Sequence, residues 1–202
     1  MSDWTSPPLL KGRYVQLEPL GRGHVEALRA ATDEALAGCW YSSVPAPDAM
    51  EAYVDAALRM QAEGKALAFA VRDSAGDVVG STRFYDLSPA TPRLHVGYTW
   101  YARRVQRTGL NTEAKRLLLG HAFEHLGCVA VGFKTSWFNH ASRAAIERLG
   151  AKQDGVIRNH MRHADGSLRD TVLYSIIDAE WPAVRSHLDA RLAVRGAKGA
   201  GT

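Results

Sequence analysis

Gln106, Arg107, Thr108, Gly109 and Asn111 pack hydrogen-bond donors into one short stretch, with Arg103 and Arg104 just before it and Thr112 just after. Chemistry of that kind suits an anion. Val96 to Tyr101 ahead of the stretch is aromatic and β-branched, as a strand would be, and from Thr112 the residues Ala114, Leu117, Leu118 and Ala122 recur at helical spacing. The first N–H groups of a helix have no intrahelical partner, and the macrodipole adds partial positive charge there. A strand, a donor-rich turn and a helix start therefore form a seat for a pyrophosphate, made by Arg104, Gln106, Arg107, Thr108, Gly109, Leu110, Asn111 and Thr112, with Arg103 adding charge. Taken alone, a glycine in such a connection also fits a plain tight turn. Neither a GxxxxGK[S/T] nor a GxGxxG pattern follows this strand, which disfavours a nucleotide triphosphatase or a Rossmann enzyme.

A second group is Asn139-His140-Ala141-Ser142-Arg143, leading to Glu147-Arg148-Leu149-Gly150-Ala151. On residue type alone Asn139 is a helix cap and Ser142 a polar residue of the first turn. The two blocks together resemble a known family. Gln106-x-x-Gly109-x-Asn111 with Thr112-Glu113-Ala114 is similar to the acetyl-CoA signature of the GNAT N-acetyltransferases: Gln or Arg, two residues, Gly, one residue, Gly or Ala. The block from Asn139 to Ala151 resembles the matching segment of the RimJ/RimL-like branch, which includes the ribosomal-protein N-terminal acetyltransferases. The similarity runs from roughly Leu10 to Leu188.

The resemblance implies acetyl-CoA as cofactor and an N-acetyltransferase that moves the acetyl group to a primary amine by direct attack on the thioester. The acceptor would be a protein N-terminus or a small-molecule amine. It also implies the fold: α/β (α+β), a mixed, mostly antiparallel sheet whose central strands splay, with helices on both faces. In that fold Trp100 and Tyr101 would border the pantetheine arm, Asn139 would hold it, and Arg143 would reach the cofactor's phosphate end. Ser142 would be the acid toward the departing sulfur, and Trp40, Tyr41, Tyr98 and His163 would line the acceptor side. The branch's glutamate base aligns with Met161 here, so the base stays open between His95, His160, His163 and a water chain. Histidine titrates near neutral pH, but in a strand it is as often a structural hydrogen-bonder. A GNAT-like sensor that holds acyl-CoA with little catalysis is the alternative reading, and the resemblance allows a homodimer.

The elements that must position these residues follow from pattern. Tyr14 to Leu20 alternates as a strand, Gly23 to Ala37 reads as one helix, and a second helix starts after Pro47-Asp48 and stops near Gly64. Leu67 to Arg72 and Val78 to Tyr85 flank an Asp/Gly turn as a hairpin, and Arg93 to Tyr101 lies beside it. A helix from Gly109 to Gly127, a strand from Val129 to Thr135, a helix opened by Asn139, and a last hairpin of Val156–His163 and Thr171–Ile177 come next. The terminal helix begins near Glu180, and the tail from Val194 to Thr202 is expected to fray.

Of 202 residues, 46% are hydrophobic and 23% charged, so one domain over residues 1–202, with its core at about 10–190, is expected. A net charge of +4 suits an anionic cofactor and predicts no nucleic-acid partner. Two cysteines, Cys39 and Cys128, lie in no CxxC pattern, which predicts no metal and two buried small hydrophobes. No apolar run nears the ~20 residues of a membrane span and no signal-peptide pattern opens the chain, so a cytoplasmic protein without a membrane partner is expected.

Overall fold

Eight strands form one sheet in the order β1-β2-β3-β4-β5-β6-β8-β7. The strands are β1 (Leu10–Lys11), β2 (Val15–Pro19), β3 (Ala66–Asp73), β4 (Val78–Ser88), β5 (Arg93–Tyr101), β6 (Ala130–Ser136), β7 (Lys152–Arg162) and β8 (Leu168–Ile177). The helices are α1 (Val25–Ala31), α2 (Glu34–Ala37), α3 (Met50–Ala62), α4 (Leu110–Gly120), α5 (His140–Glu147) and α6 (Trp181–Gly199). The computed structural model describes residues 3–41, 44–163 and 165–199. Every strand pairing is antiparallel except that of β5 with β6, which the crossover through α4 makes parallel.

Alternation along β3 shows how the sheet serves two cores. Leu67, Phe69 and Val71 join the core that includes Leu118 and Leu119 of α4 and Leu188 of α6. Ala68 and Ala70 face the other way, onto Leu28 of α1 and Met50, Val54 and Ala57 of α3. Both faces are thus covered, and β3 reads as an unbroken apolar run for that reason.

The central pair departs from a closed ladder, as the resemblance implied. β5 and β6 are in register only at Arg93↔Ala130, Leu94↔Val131 and His95↔Gly132, and beyond those rungs they part. On its other edge β5 carries a bulge: Gly97 pairs with Arg83 and Trp100 with Ser81, so Tyr98 and Thr99 share a single residue, Thr82, as their opposite. Tyr98 takes a φ of +50° there. Its backbone oxygen accepts from Tyr53 Oη at 3.4 Å, and its ring lies 4.4 Å from the guanidinium of the fully buried Arg83, which Tyr53 meets from another side at 4.5 Å.

The single helix expected from Gly23 to Ala37 is broken at Thr32–Asp33, because Asp33 is extended and its side chain accepts from Leu36 N at 2.6 Å, capping a new helix. The helix expected to reach Gly127 ends at Gly120 in a π-helical turn, His121–His125. The last hairpin begins earlier than its alternation suggested, at Lys152. The tail expected to fray from Val194 keeps a helical backbone to Gly199, and its residues 200–202 lie outside the described residues. Cys128 is buried, whereas Cys39 is partly exposed, and both are free. Among the described residues no helix is long and apolar enough to cross a membrane.

Candidate functional site

The parting of β5 and β6 opens a cavity of about 270 Å³, lined on one side by Val96 to Tyr101 and on the other by Phe133 to Ser136. α4 contributes Asn111 and Lys115, α5 contributes Ser142 beside Asn139, and Tyr41 and Arg169 complete the wall. The lining holds an unusual number of polar atoms that are buried without a partner: Trp100 Nε1, Tyr101 Oη, Asn111 Oδ1, Ser136 Oγ and Arg169 Nε. Each such atom costs roughly 1–3 kcal/mol if nothing satisfies it, so this gap is built to receive a polar guest. An amide-bearing arm fits: it presents donors and acceptors along an extended chain and needs a slot between strands.

α4 is anchored from within. The Glu113 carboxylate accepts from the backbone N–H groups of Arg13, Tyr14 and Val15 at 2.9, 2.5 and 3.0 Å, and a Cβ at Gly12 would stand 2.4 Å from it, so glycine is required there. Ahead of α4 the chain makes a tight 3-10 turn, Arg103–Val105, and Gln106 Nε2 donates to Tyr101 O at 3.0 Å. The left-handed residue of the loop is Arg107, at φ +61°, and not Gly109, whose φ is −71°. Thr108 Oγ1 donates to Val105 O at 2.7 Å and accepts from Leu110 N at 3.2 Å, taking one orphan N–H and leaving those of Asn111 and Thr112 for an anion. A second small cavity, about 120 Å³, lies at this mouth between Arg107, Thr108, Asn111, Thr112, Arg148 and Arg191. Asn111, Ala145 and Leu149 line both cavities, so mouth and gap adjoin.

Arg107 lines the mouth as expected, but its other cations come from other elements. Arg104 is held by Asp73 and Asp77 at 2.5 and 3.0 Å, and Arg103 by Asp33 at 3.1 Å, so the β3–β4 turn and α2's cap engage them. Arg143 lies with its guanidinium 4.4 Å from the Trp137 ring centre and Nε 3.2 Å from Tyr174 Oη, away from the mouth. Arg148, at the end of α5, and Arg191, on α6, stand where Arg143 and Arg104 were expected. Single side chains on separate helices gave no local pattern by which the sequence could nominate them.

The histidine candidates divide. His95 and His160 line a different cavity of about 250 Å³ with Gly132, Asp154 and Ser175. Alternation along β5 explains it: Leu94 and Val96 enter the core under α4, so His95 faces away. Burial, with Lys134 nearby, lowers the His95 pKa to about 4, and His160 Nδ1 is 3.0 Å from Thr171 Oγ1. Neither reaches the cavity that Ser142 lines. Met161 is 50% exposed and lines neither cavity. Ser142 N donates to Asn139 Oδ1 at 2.9 Å, so Asn139 caps α5 and turns its first residues onto the gap. On the acceptor side Tyr41 and Tyr98 line the gap. Trp40, 43% exposed, stacks edge-on against Tyr41 and the buried His163, with ring centres 5.5 and 4.8 Å apart, and meets Phe138 at 5.4 Å.

Lys115 is a site residue that the sequence pattern did not single out. It is 6% exposed, one turn beyond Asn111 on the same face, and its Nζ donates to Thr99 Oγ1 at 2.8 Å. Burial lowers its pKa to about 7. A lysine four residues after a cavity-facing Asn was the available signal.

Comparison with known proteins follows the same lines. The acetyltransferase (GNAT) domain family matches residues 15–152. A Bacillus subtilis protein named "Putative ribosomal N-acetyltransferase YdaF" is 31% identical over 52% of this chain, and the match spans 57% of that relative, little more than half its length. A GCN5-related N-acetyltransferase from Brucella melitensis superposes with a TM-score of 0.82 at 32% identity, covering 91% of this chain and 84% of that one. Mycobacterium smegmatis RimJ, solved in complex with CoA-disulfide, shares the fold at 20% identity, with a TM-score of 0.74 and 88% of each chain covered.

Proposed function

This chain belongs to the GNAT acetyltransferase family, and we propose that its 202 residues form one domain that transfers the acetyl group of acetyl-CoA to a primary amine. The observation that carries the reading is the parted β5–β6 pair, whose walls hold buried polar atoms in want of partners. When bound, the cofactor supplies an activated acetyl thioester. Asn111 Oδ1, Tyr101 Oη and Ser136 Oγ, buried and unpartnered, are the groups of this chain suited to hold its amide-bearing arm. The first N–H groups of α4, with Arg107, Arg148 and Arg191, seat its phosphates. Ser142 Oγ is the donor toward sulfur, presented by the Asn139 cap. The bulge at Tyr98 and Thr99 re-aims β5 at the place where acceptor and donor must meet, and Tyr41 and Trp40 shape the acceptor's entrance.

The name of the Bacillus subtilis relative supports a protein N-terminus as acceptor, in the manner of the RimJ/RimL-like branch. Spermidine, free amino acids, an aminoglycoside and short peptides with free N-termini, each offered with acetyl-CoA and followed by thiol release, test this. Turnover of a peptide well above the others supports the ribosomal-type reading. CoA binding by calorimetry with thiol release no faster than background for every amine would instead make the protein an acyl-CoA sensor.

A further inference from the structure

With His95 and His160 in the other cavity and Met161 exposed, the gap needs a different group to take the proton from the acceptor. No carboxylate lines it among the described residues. Its titratable or charged side chains are Tyr41, Tyr98, Tyr101, Lys115, Lys134 and Arg169. Lys134 is neutralised by Asp86 at 2.7 Å, Arg169 is a permanent cation, and burial raises the Tyr101 hydroxyl out of the working range. Lys115 has none of these fates. Its one hydrogen bond is to Thr99 Oγ1, which in turn is 2.7 Å from Thr82 Oγ1, so a short file of hydroxyls fixes Nζ against the bulge of β5. Glu113, the carboxylate on its own helix, is committed to the backbone of Arg13 to Val15. An amine buried with a hydroxyl and no anion spends a large share of its time uncharged at neutral pH, because desolvation penalises the ammonium.

We propose that Lys115, held by Thr99, is the base of the acetyl transfer. The inference rests on the acetyl-CoA reading above. The acceptor nitrogen bonds to the acetyl carbon, the carbon–sulfur bond breaks with its electron pair on sulfur, and the nitrogen's surplus proton passes to the lone pair of Lys115 Nζ. Ser142 Oγ gives its proton to the thiolate and regains one from solvent, while the Lys115 ammonium gives its proton to solvent, so CoA leaves as the thiol and both side chains are restored. Nothing else is consumed.

The test has one arm that needs no acceptor. In protein labelled at the lysine ε-carbons, one resonance should titrate near neutral pH and vanish in Lys115→Met, while the remaining lysines titrate about three pH units higher. In the second arm, kcat/KM for the fastest amine of the panel should rise with pH through the same ionisation. Lys115→Met and Lys115→Arg should both lose on the order of 100-fold in kcat and lose that limb, with CoA affinity from calorimetry within about threefold of the parent. Thr99→Val should shift the limb, and Thr99→Ser should restore it. A Lys115 resonance that titrates like an exposed lysine overturns the proposal, as does an Arg variant that keeps its rate, since a fixed charge would then suffice. Failure of the parent to bind CoA would instead fail the acetyl-CoA reading, and calorimetry separates the two.

Discussion

Two cavities flank the point where β5 and β6 part, and residue type alone would have ranked them in the wrong order. The one with His95, His160, Asp154 and Ser175 holds the side chains usually sought as catalysts, yet most of its polar groups are already paired: Ser175 with Asp154 at 2.8 Å, Lys134 with Asp86 at 2.7 Å, His160 with Thr171 at 3.0 Å. The other offers two serines, two asparagines, two lysines and three tyrosines, with five lining residues carrying a buried polar atom that has no partner among the described residues. Unmet hydrogen-bonding demand, and not the presence of imidazoles, marks where a ligand belongs. The gap also adjoins the basic mouth of α4, with Asn111, Ala145 and Leu149 lining both, whereas it shares Lys134 with the histidine cavity.

The largest expected effect sets one residue from each cavity against the other. Ser142→Ala should lower kcat on the order of 100-fold with CoA affinity nearly unchanged, since it removes a proton donor from the reaction and no fixed contact of the resting protein. His160→Gln should leave kcat within about twofold, because its ring is bonded to Thr171 outside the gap. Steady-state rates with calorimetry on both variants decide. Comparable losses in the two would erase the distinction between the cavities.

A matched pair of glycines sharpens it next. A Cβ at Gly80 would stand 2.1 Å from Trp100 O, a backbone atom of the strand that walls the gap, so β5 must move. At Gly132 the Cβ would stand 2.5 Å from His95 Cδ2, the end of a side chain that can rotate into its own cavity. Gly80→Ala should therefore cost about 2–4 kcal/mol of stability by denaturant melt and weaken CoA binding. Gly132→Ala should cost nearer ~1 kcal/mol and leave CoA binding alone. Equal costs would show that the two walls yield alike.

These contrasts also explain what the sequence could reveal. Strands β2 to β6, the hairpin turns, the loop before α4 and the Asn139 cap are local patterns, and each was legible from alternation, turn chemistry or spacing. What escaped was set by contacts distant in the chain. The break at Thr32–Asp33 depends on a cap within an otherwise helical run. Assigning His95 to one face required knowing that β5 is covered on both sides, which a nine-residue strand does not announce. Lys115 went unnoticed because charged residues are rarely buried without a partner, and it is the bulge opposite it that supplies the hydroxyl. Gly109 drew notice as the flexible residue of the loop, although Arg107 carries the positive φ.

The smallest effect concerns how far the productive cavity extends. If mouth and gap form one continuous site, the cations that matter are those lining the mouth, Arg107, Arg148 and Arg191, and not Arg103 and Arg104, which carboxylates hold. Arg191→Ala and Arg148→Ala should each weaken CoA about three- to tenfold, since a charge-assisted contact to phosphate in a partly exposed site contributes roughly 1 kcal/mol. Each should also flatten the dependence of affinity on salt, because one screened attraction has been removed. Arg104→Ala is the control: its guanidinium bridges Asp73 and Asp77 across an exposed turn, so CoA affinity should hold and stability should fall by no more than about 1 kcal/mol. Calorimetric titrations of CoA at two ionic strengths compare all three. An Arg104 variant that loses affinity while the Arg148 and Arg191 variants keep it would move the phosphate seat to the β3–β4 side of the loop and detach the mouth of α4 from the gap it adjoins.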